Sequence, residues 1–168
     1  MKKIFALVLG IVAFMGVASA QNYMVVDSEK IFKSISEYNA ALAQLDNMAK
    51  SYQQQIDAKY AQIEALYSTY QQQKVNLSAA ARAMRENEIL EKESETVKYQ
   101  ESIFGNEGTM MKKRIELIQP IQERVFKAIE SYAKTNGFDL VLDIASNATM
   151  LYYSPAVNRT EAVIKLVK

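Results

Sequence analysis

From Ser28 onward the apolar residues recur at helical spacing. Ile35, Leu42, Ala49, Ile56, Ile63 and Tyr70 stand seven residues apart, and Ile31, Tyr38, Leu45, Tyr52, Lys59 and Leu66 form a second series beside them. Together they make a two-rail heptad seam with one polar lapse, Lys59. After a polar break at Asn76 to Ser78 the same period resumes through Ala83, Leu90, Val97, Phe104, Met111, Ile118, Val125 and Tyr132. The flanks of this later series hold Glu86, Glu93, Gln100 and Glu107 on one side and Asn87, Ser94, Glu101 and Gly108 on the other, until Ile115 and Ile121 restore apolarity. So narrow a stripe needs a partner to bury it. The simplest partner is the preceding helix, met by folding back near residues 75–78, with Ser78 capping the returning helix. The pattern predicts a mainly α fold, a long antiparallel helical hairpin of residues 38–115 acting as a coiled-coil arm. Residues 38–75 alone would extend roughly 57 Å at 1.5 Å per residue.

Glycine and proline punctuate this reading at few places. Gly105 and Gly108 fall within one turn of the returning helix, a combined loss of roughly 2 kcal/mol of helix propensity, and read as a flexible point or hinge, with close packing as the plainer alternative. Pro120 predicts a kink, and Asn136 with Gly137 a left-handed cap. Beyond it the period changes. Phe138, Leu140 and Leu142 alternate with Asp139, Val141 and Asp143, and Met150 to Tyr153 forms a further short run past a polar turn at Ser146 and Asn147. Both read as strands, as does the run from Tyr23 to Val26, which ends where Asp27 or Ser28 can cap the first helix. Asn158 with Thr160 can open a closing helix through Val167. Residues 21–37 and 116–168 thus form a small β-containing body from which the arm projects. A core of roughly seventy residues supplies only a few kcal/mol, and short strands leave open edges. The body is therefore expected to self-associate through its strands, with Val25, Leu140 and Leu142 as its structural residues.

Composition removes whole classes of chemistry. The 168 residues contain no Cys, His or Trp, which excludes thiol or imidazole nucleophiles, a Ser-His-Asp relay, zinc sites built on His or thiolate, and disulfides. Lys2 and Lys3 precede an apolar run from Ile4 to Val17 and then Ala18-Ser19-Ala20, the form of a secretory signal peptide. Cleavage after Ala20 would leave 148 residues, and loss of Lys2 and Lys3 lowers the 20 basic side chains to 18 against 19 acidic ones. The product is expected in the periplasm, with no basic field to hold nucleic acid. Glu91, Glu93 and Glu95 read as charge on a solvated helix rather than as a catalytic or cation site. Neither cofactor nor metal is expected.

What remains is binding by many weak contacts. Beyond the seam rails lie Met48, Tyr60, Tyr67, Met84, Ile89, Tyr99, Ile103 and Met110, amphipathic or pliable side chains able to touch an extended apolar strand in many poses. Gln53 to Gln55 and Gln71 to Gln73 add adaptable hydrogen bonds. Lys74, Arg82 and Arg85 form a basic patch near the turn, either a solvated helix end or a contact for lipid phosphate.

With these elements laid out, residues 23–168 resemble the Skp/OmpH family of periplasmic chaperones. The resemblance is carried by Met24-Val25-Val26-Asp27 with Ser28-Glu29-Lys30-Ile31-Phe32, by Leu77-Ser78-Ala79-Ala80-Ala81-Arg82, and above all by the closing stretch. There Pro120-Ile121-Gln122, Ala128-Ile129, Ala133-Lys134, Gly137 through Asp143, and Tyr152-Tyr153 through Asn158-Arg159-Thr160-Glu161 follow the family order. The resemblance implies a homotrimer whose strands build a central body and whose hairpins surround a cavity for unfolded outer-membrane β-barrel proteins, held without ATP. The sequence agrees in lacking a Gly-x-x-x-x-Gly-Lys phosphate loop. It departs from the family in its near-neutral charge, in Asn158 where an Asp is usual, and in the glycines at 105 and 108. Contact with lipopolysaccharide or a membrane surface is a further expectation. The competing reading is a structural coiled-coil adaptor of the envelope that binds one folded partner.

Overall fold

The computed structural model describes residues 22–145 and 150–168; the expected signal peptide and the turn at Ser146 and Asn147 lie outside them. The element order is β1 (Tyr23–Val26), α1 (Ser28–Lys33), α2 (Ser36–Gln73), a 3-10 turn (Lys74–Asn76), α3 (Ala79–Phe104), α4 (Thr109–Thr135), β2 (Leu140–Asp143), a 3-10 turn (Pro155–Val157) and α5 (Thr160–Val167). Two units emerge. One holds the described residues up to Ser34 together with Val125–Lys168, the other Ile35–Arg124.

In the first unit β1 and β2 pair in parallel, Tyr23 opposite Leu140 through Val26 opposite Asp143. Parallel neighbours need a long crossover, and here the whole intervening chain supplies it. Met24, Val25, Ile31, Val125 and Val163 are almost fully buried around this pair, and Phe32 meets Phe126 edge to face at 6.3 Å. Asp27 caps α1 by accepting the Lys30 amide at 2.9 Å, and its own amide donates to Thr160 Oγ1 at 2.9 Å. At the same end of the strand pair, Asp143 accepts the Ser28 amide at 3.1 Å, the Ser28 hydroxyl at 2.5 Å and the Ala145 amide at 3.0 Å. Helix α4 closes on a Schellman motif, with Gly137 at φ +70° and Phe138 N–H reaching Ala133 O at 2.9 Å. The expected left-handed cap is therefore present. Asn158 Oδ1 accepts the first amide of α5 at 2.9 Å, so the Asp-to-Asn departure leaves that bond in place.

One expected strand is absent. Met150 to Tyr153 is not in a strand; Leu151 and Tyr152 are nearly fully solvated, and the contact to β1 comes from Asn158, which forms an isolated parallel bridge with Val25. Among the described residues of this unit nothing forms a ladder with the 150–153 run. The strand residues also divide: Val25 is sealed inside its own unit, whereas Leu140 is half exposed.

In the second unit α2 and α3 lie antiparallel, joined by the 3-10 turn, and Ser78 accepts the Ala81 amide at 3.2 Å as the cap of α3. Cross-helix pairs confirm the direction: Tyr70 donates to Glu86, and further from the turn Tyr99 donates to Gln55 Oε1 at 2.7 Å. The expected single helix from Ser28 is interrupted, because Ile35 is extended and Ser34 turns back to the Ile31 carbonyl at 2.7 Å. Helix α4 continues through Pro120. Between α3 and α4 the chain breaks at residues 105–108. A Cβ on Gly105 would stand 2.5 Å from the Glu101 carbonyl oxygen and one on Gly108 2.6 Å from that of Ile103. In both cases the crowding atoms are backbone atoms of the same turn, which gives each glycine a local steric reason.

Burial pushes the Asp143 carboxyl up, but the bonds from Ser28 and Ala145 outweigh it and hold the group below the ordinary aspartate value of 3.8. A depressed folded value contributes stability above the unfolded pKa and loses it as pH falls through the folded one. Asp143→Asn should therefore lower the melting temperature at pH 7, and the gap to the parent should shrink below about pH 4, where the parent's own carboxyl protonates. Melting curves at pH 7 and pH 3 check this; an unchanged gap would show that ionisation of Asp143 contributes nothing.

Candidate functional site: an apolar face of the hairpin

Successive residues on an α-helix are turned by about 100°, so two neighbours cannot both point at one partner helix. On α3 two apolar series run side by side for three heptads: Ile89, Thr96 and Ile103, and directly after them Leu90, Val97 and Phe104. The first series packs against α2. Ile89 joins Ile63 and Tyr70 in a buried cluster flanked by Leu66 and Leu77, Thr96 is buried with its hydroxyl on the Lys92 carbonyl at 2.8 Å, and Ile103 is buried further along. The second series stays outside, with Leu90 60% and Val97 54% exposed and Phe104 and Met111 also open. This corrects the sequence reading, which assigned Leu90, Val97, Phe104 and Met111 to the seam and Ile89 and Ile103 to the surface. The register lies one residue earlier because Ile89 meets Ile63 and Tyr70, while the neighbours of Leu90 on its helix face, Glu86, Asn87, Glu93 and Ser94, are polar or charged. The expected series is buried again at Ile118 and Val125 and half-buried at Tyr132.

The outgoing helix follows its expected rails more closely. Ile56, Ile63 and Tyr70 are buried, and Tyr38, Leu45, Tyr52 and Leu66 are half-buried, but Leu42 is exposed and Ala41 is buried in its place. The polar lapse at Lys59 also has a partner, since its ammonium sits 5.1 Å over the Tyr99 ring. Tyr99 is thereby engaged twice, through its face and through its hydroxyl on Gln55. Hydrogen bonding to Glu86, with desolvation adding, holds the Tyr70 phenol above its ordinary value.

The eight candidate contact residues now separate. Tyr60, Tyr67 and Met84 are exposed, Met48 and Met110 half-buried, Tyr99 is occupied within the hairpin, and Ile89 and Ile103 are sealed in the seam. Tyr67 of α2 lines one hollow together with Leu90 of α3. At the break, Leu42, Leu45, Phe104, Met110 and Met111 line a groove of about 440 Å³ that also carries Arg114. One hollow joins Tyr67 to Leu90 and the other joins Leu42 to Phe104 and Met111; with Val97, which lies on α3 between them, these are six exposed apolar residues. Sequence reasoning missed the α3 members. The signal available was the doubled apolar series, which a single seam cannot consume. Near the turn, Lys74 lies 5.5 Å over Tyr70, Arg82 donates to the Leu77 carbonyl at 3.1 Å and Arg85 pairs with Glu88 at 2.9 Å, so each cation of the basic patch has a partner in its own chain. Among the described residues no group of acids is placed to hold a metal ion, and no helix is long and apolar enough to cross a membrane.

The chain thus combines a helical hairpin that leaves apolar residues open to solvent with a small unit built on two parallel strands. The family model for outer membrane protein (OmpH-like) matches residues 22–167, and the chain belongs to that family. It is 26% identical to the chaperone protein Skp of Yersinia enterocolitica, over 89% of this chain and 87% of that one. It is 27% identical to the chaperone protein Skp of Photorhabdus laumondii, over 91% and 89%. An uncharacterised protein of Aquifex aeolicus is similar at 27% identity over 98% and 95%.

The register is open to a direct test. Ile89→Ala should destabilise the protein by about 2 kcal/mol or more, while Leu90→Ala should stay within about 0.5 kcal/mol. Denaturant unfolding measures both; a larger loss at Leu90 would place the seam on the other series.

Proposed function

We propose that this protein is a periplasmic chaperone that holds unfolded outer-membrane β-barrel proteins without ATP, as a homotrimer whose hairpins enclose the client. Membership in the OmpH-like family and the chaperone names of its relatives support the class. The observation that carries the mode of action is the uncovered apolar face. A stripe of branched, aromatic and thioether side chains along three heptads offers an extended apolar strand many weak, interchangeable contacts, and release from such contacts needs no energy source. Six positions spread over the face serve this better than one deep pocket, which would slow dissociation. Val25, Leu140 and Leu142 belong to the body on this reading. A two-stranded sheet is marginal alone, and the solvated Leu140, Leu151, Tyr152 and Leu166 give a second copy apolar surface to cover.

Nothing in this activity requires a reaction, and the protein acts as a binder rather than an enzyme. Holding should be visible on diluting urea-unfolded porin into buffer with the purified mature protein. Light scattering should stay near baseline at one trimer per porin. Leu90→Ser with Val97→Ser should raise the amount needed roughly tenfold, the equivalent of losing burial of about one such side chain. Full aggregation in the presence of excess parent protein would defeat the chaperone reading and favour an adaptor with a single folded partner.

A further inference from the structure

The groove at the α3–α4 break is walled in part by two consecutive methionines. Met111 is 43% exposed and Met110 half-buried, both beside Leu42, Leu45 and Phe104. The chain has no Cys and no Trp, so its thioethers are the sulfur available to an oxidant. Methionine oxidation replaces a flexible apolar group by a polar sulfoxide, a change that reductases reverse. At most exposed methionines this alters little. Here the thioethers share the groove with Leu42, Leu45, Ala49 and Phe104, with Asp46, Asn106 and Arg114 as its polar lining, and on the holdase reading the change falls on the surface that touches the client.

We propose that Met110 and Met111 are an oxidation site that regulates the binding face, taking an oxygen atom from a peroxide and weakening the hold on an unfolded apolar client. This rests on the holdase reading and extends it. The sulfur lone pair attacks one peroxide oxygen, an S–O bond forms as the O–O bond breaks, and sulfur gives up two electrons. The departing hydroxide takes the proton left on the transferred oxygen and leaves as water. The other methionines supply the contrast. Met84, 72% exposed on α3, lines neither the groove nor the stripe and should oxidise readily without consequence; Met24, with no exposed surface, should stay reduced.

The test uses the full mature protein treated with hydrogen peroxide and then freed of it. Peptide mapping by mass should find sulfoxide at Met84 and Met111 first, then Met110, and none at Met24. Oxidised parent protein should bind unfolded porin roughly tenfold more weakly than untreated protein, with its solution mass unchanged. Met110→Leu with Met111→Leu, a swap that conserves apolar volume, is compared with itself before and after the same treatment and should show no change in affinity, whereas Met84→Leu should lose affinity as the parent does. Full retention of affinity by the oxidised parent, equal loss in the double variant, or a change in its mass would each overturn the proposal. Failure of untreated protein to hold porin would instead strike the holdase reading.

Discussion

Two apolar series one residue apart on a single helix cannot both face the same neighbour, and this geometric constraint organises the hairpin. Ile89, Thr96 and Ile103 take the inner position and leave Leu90, Val97 and Phe104 in water. A hairpin selected for stability alone would place charges at the outer positions, as α3 does at Glu91, Lys98 and Glu101. Keeping large apolar side chains there exposes a face that ordinary folding would hide. The residues that contribute least to the hairpin seam are the ones left open to solvent, and the proposed function is read from that same register.

Polar pairs then hold that register. An apolar seam with strict seven-residue period tolerates slippage, and specific polar contacts between helices oppose it. Tyr70 to Glu86 near the turn, Lys59 over Tyr99, and Tyr99 to Gln55 further along tie defined residues of α2 to defined residues of α3. Shifting either helix by one heptad would break all three. At the open end the register meets the glycine loop, where backbone approaches closer than any side chain allows and α4 begins a new packing phase with Ile118 and Ile121 buried. The groove of Leu42, Phe104 and Met111 exists because of that phase change.

Much of the fold was legible in the sequence, for physical reasons that also mark where legibility stopped. The α2 rails at Ile56, Ile63 and Tyr70, the Ser78 cap, the Gly137 cap and the strands at Tyr23 and Leu140 each rest on local chemistry that tertiary contacts had no cause to override. The α3 register was misplaced because periodicity identifies a set of equivalent positions but not which of two adjacent sets meets the partner; only the contacts of Ile89 with Ile63 and Tyr70 decide that. Met150 to Tyr153 read as a strand because it is a short apolar run, yet a strand requires a ladder and the run forms none among the described residues of the unit. Of the candidate contact residues, Tyr60, Tyr67 and Met84 are open to solvent, while Tyr99 was spoken for by Lys59, a pairing that spacing along one helix could not reveal.

The most direct measurement is photo-crosslinking from single positions on α3. A benzophenone side chain placed at Val97 should capture unfolded porin efficiently, and one at Glu95, exposed on the opposite side of α3, should capture little. Equal capture at the two positions, or capture at Glu95 alone, would contradict the account.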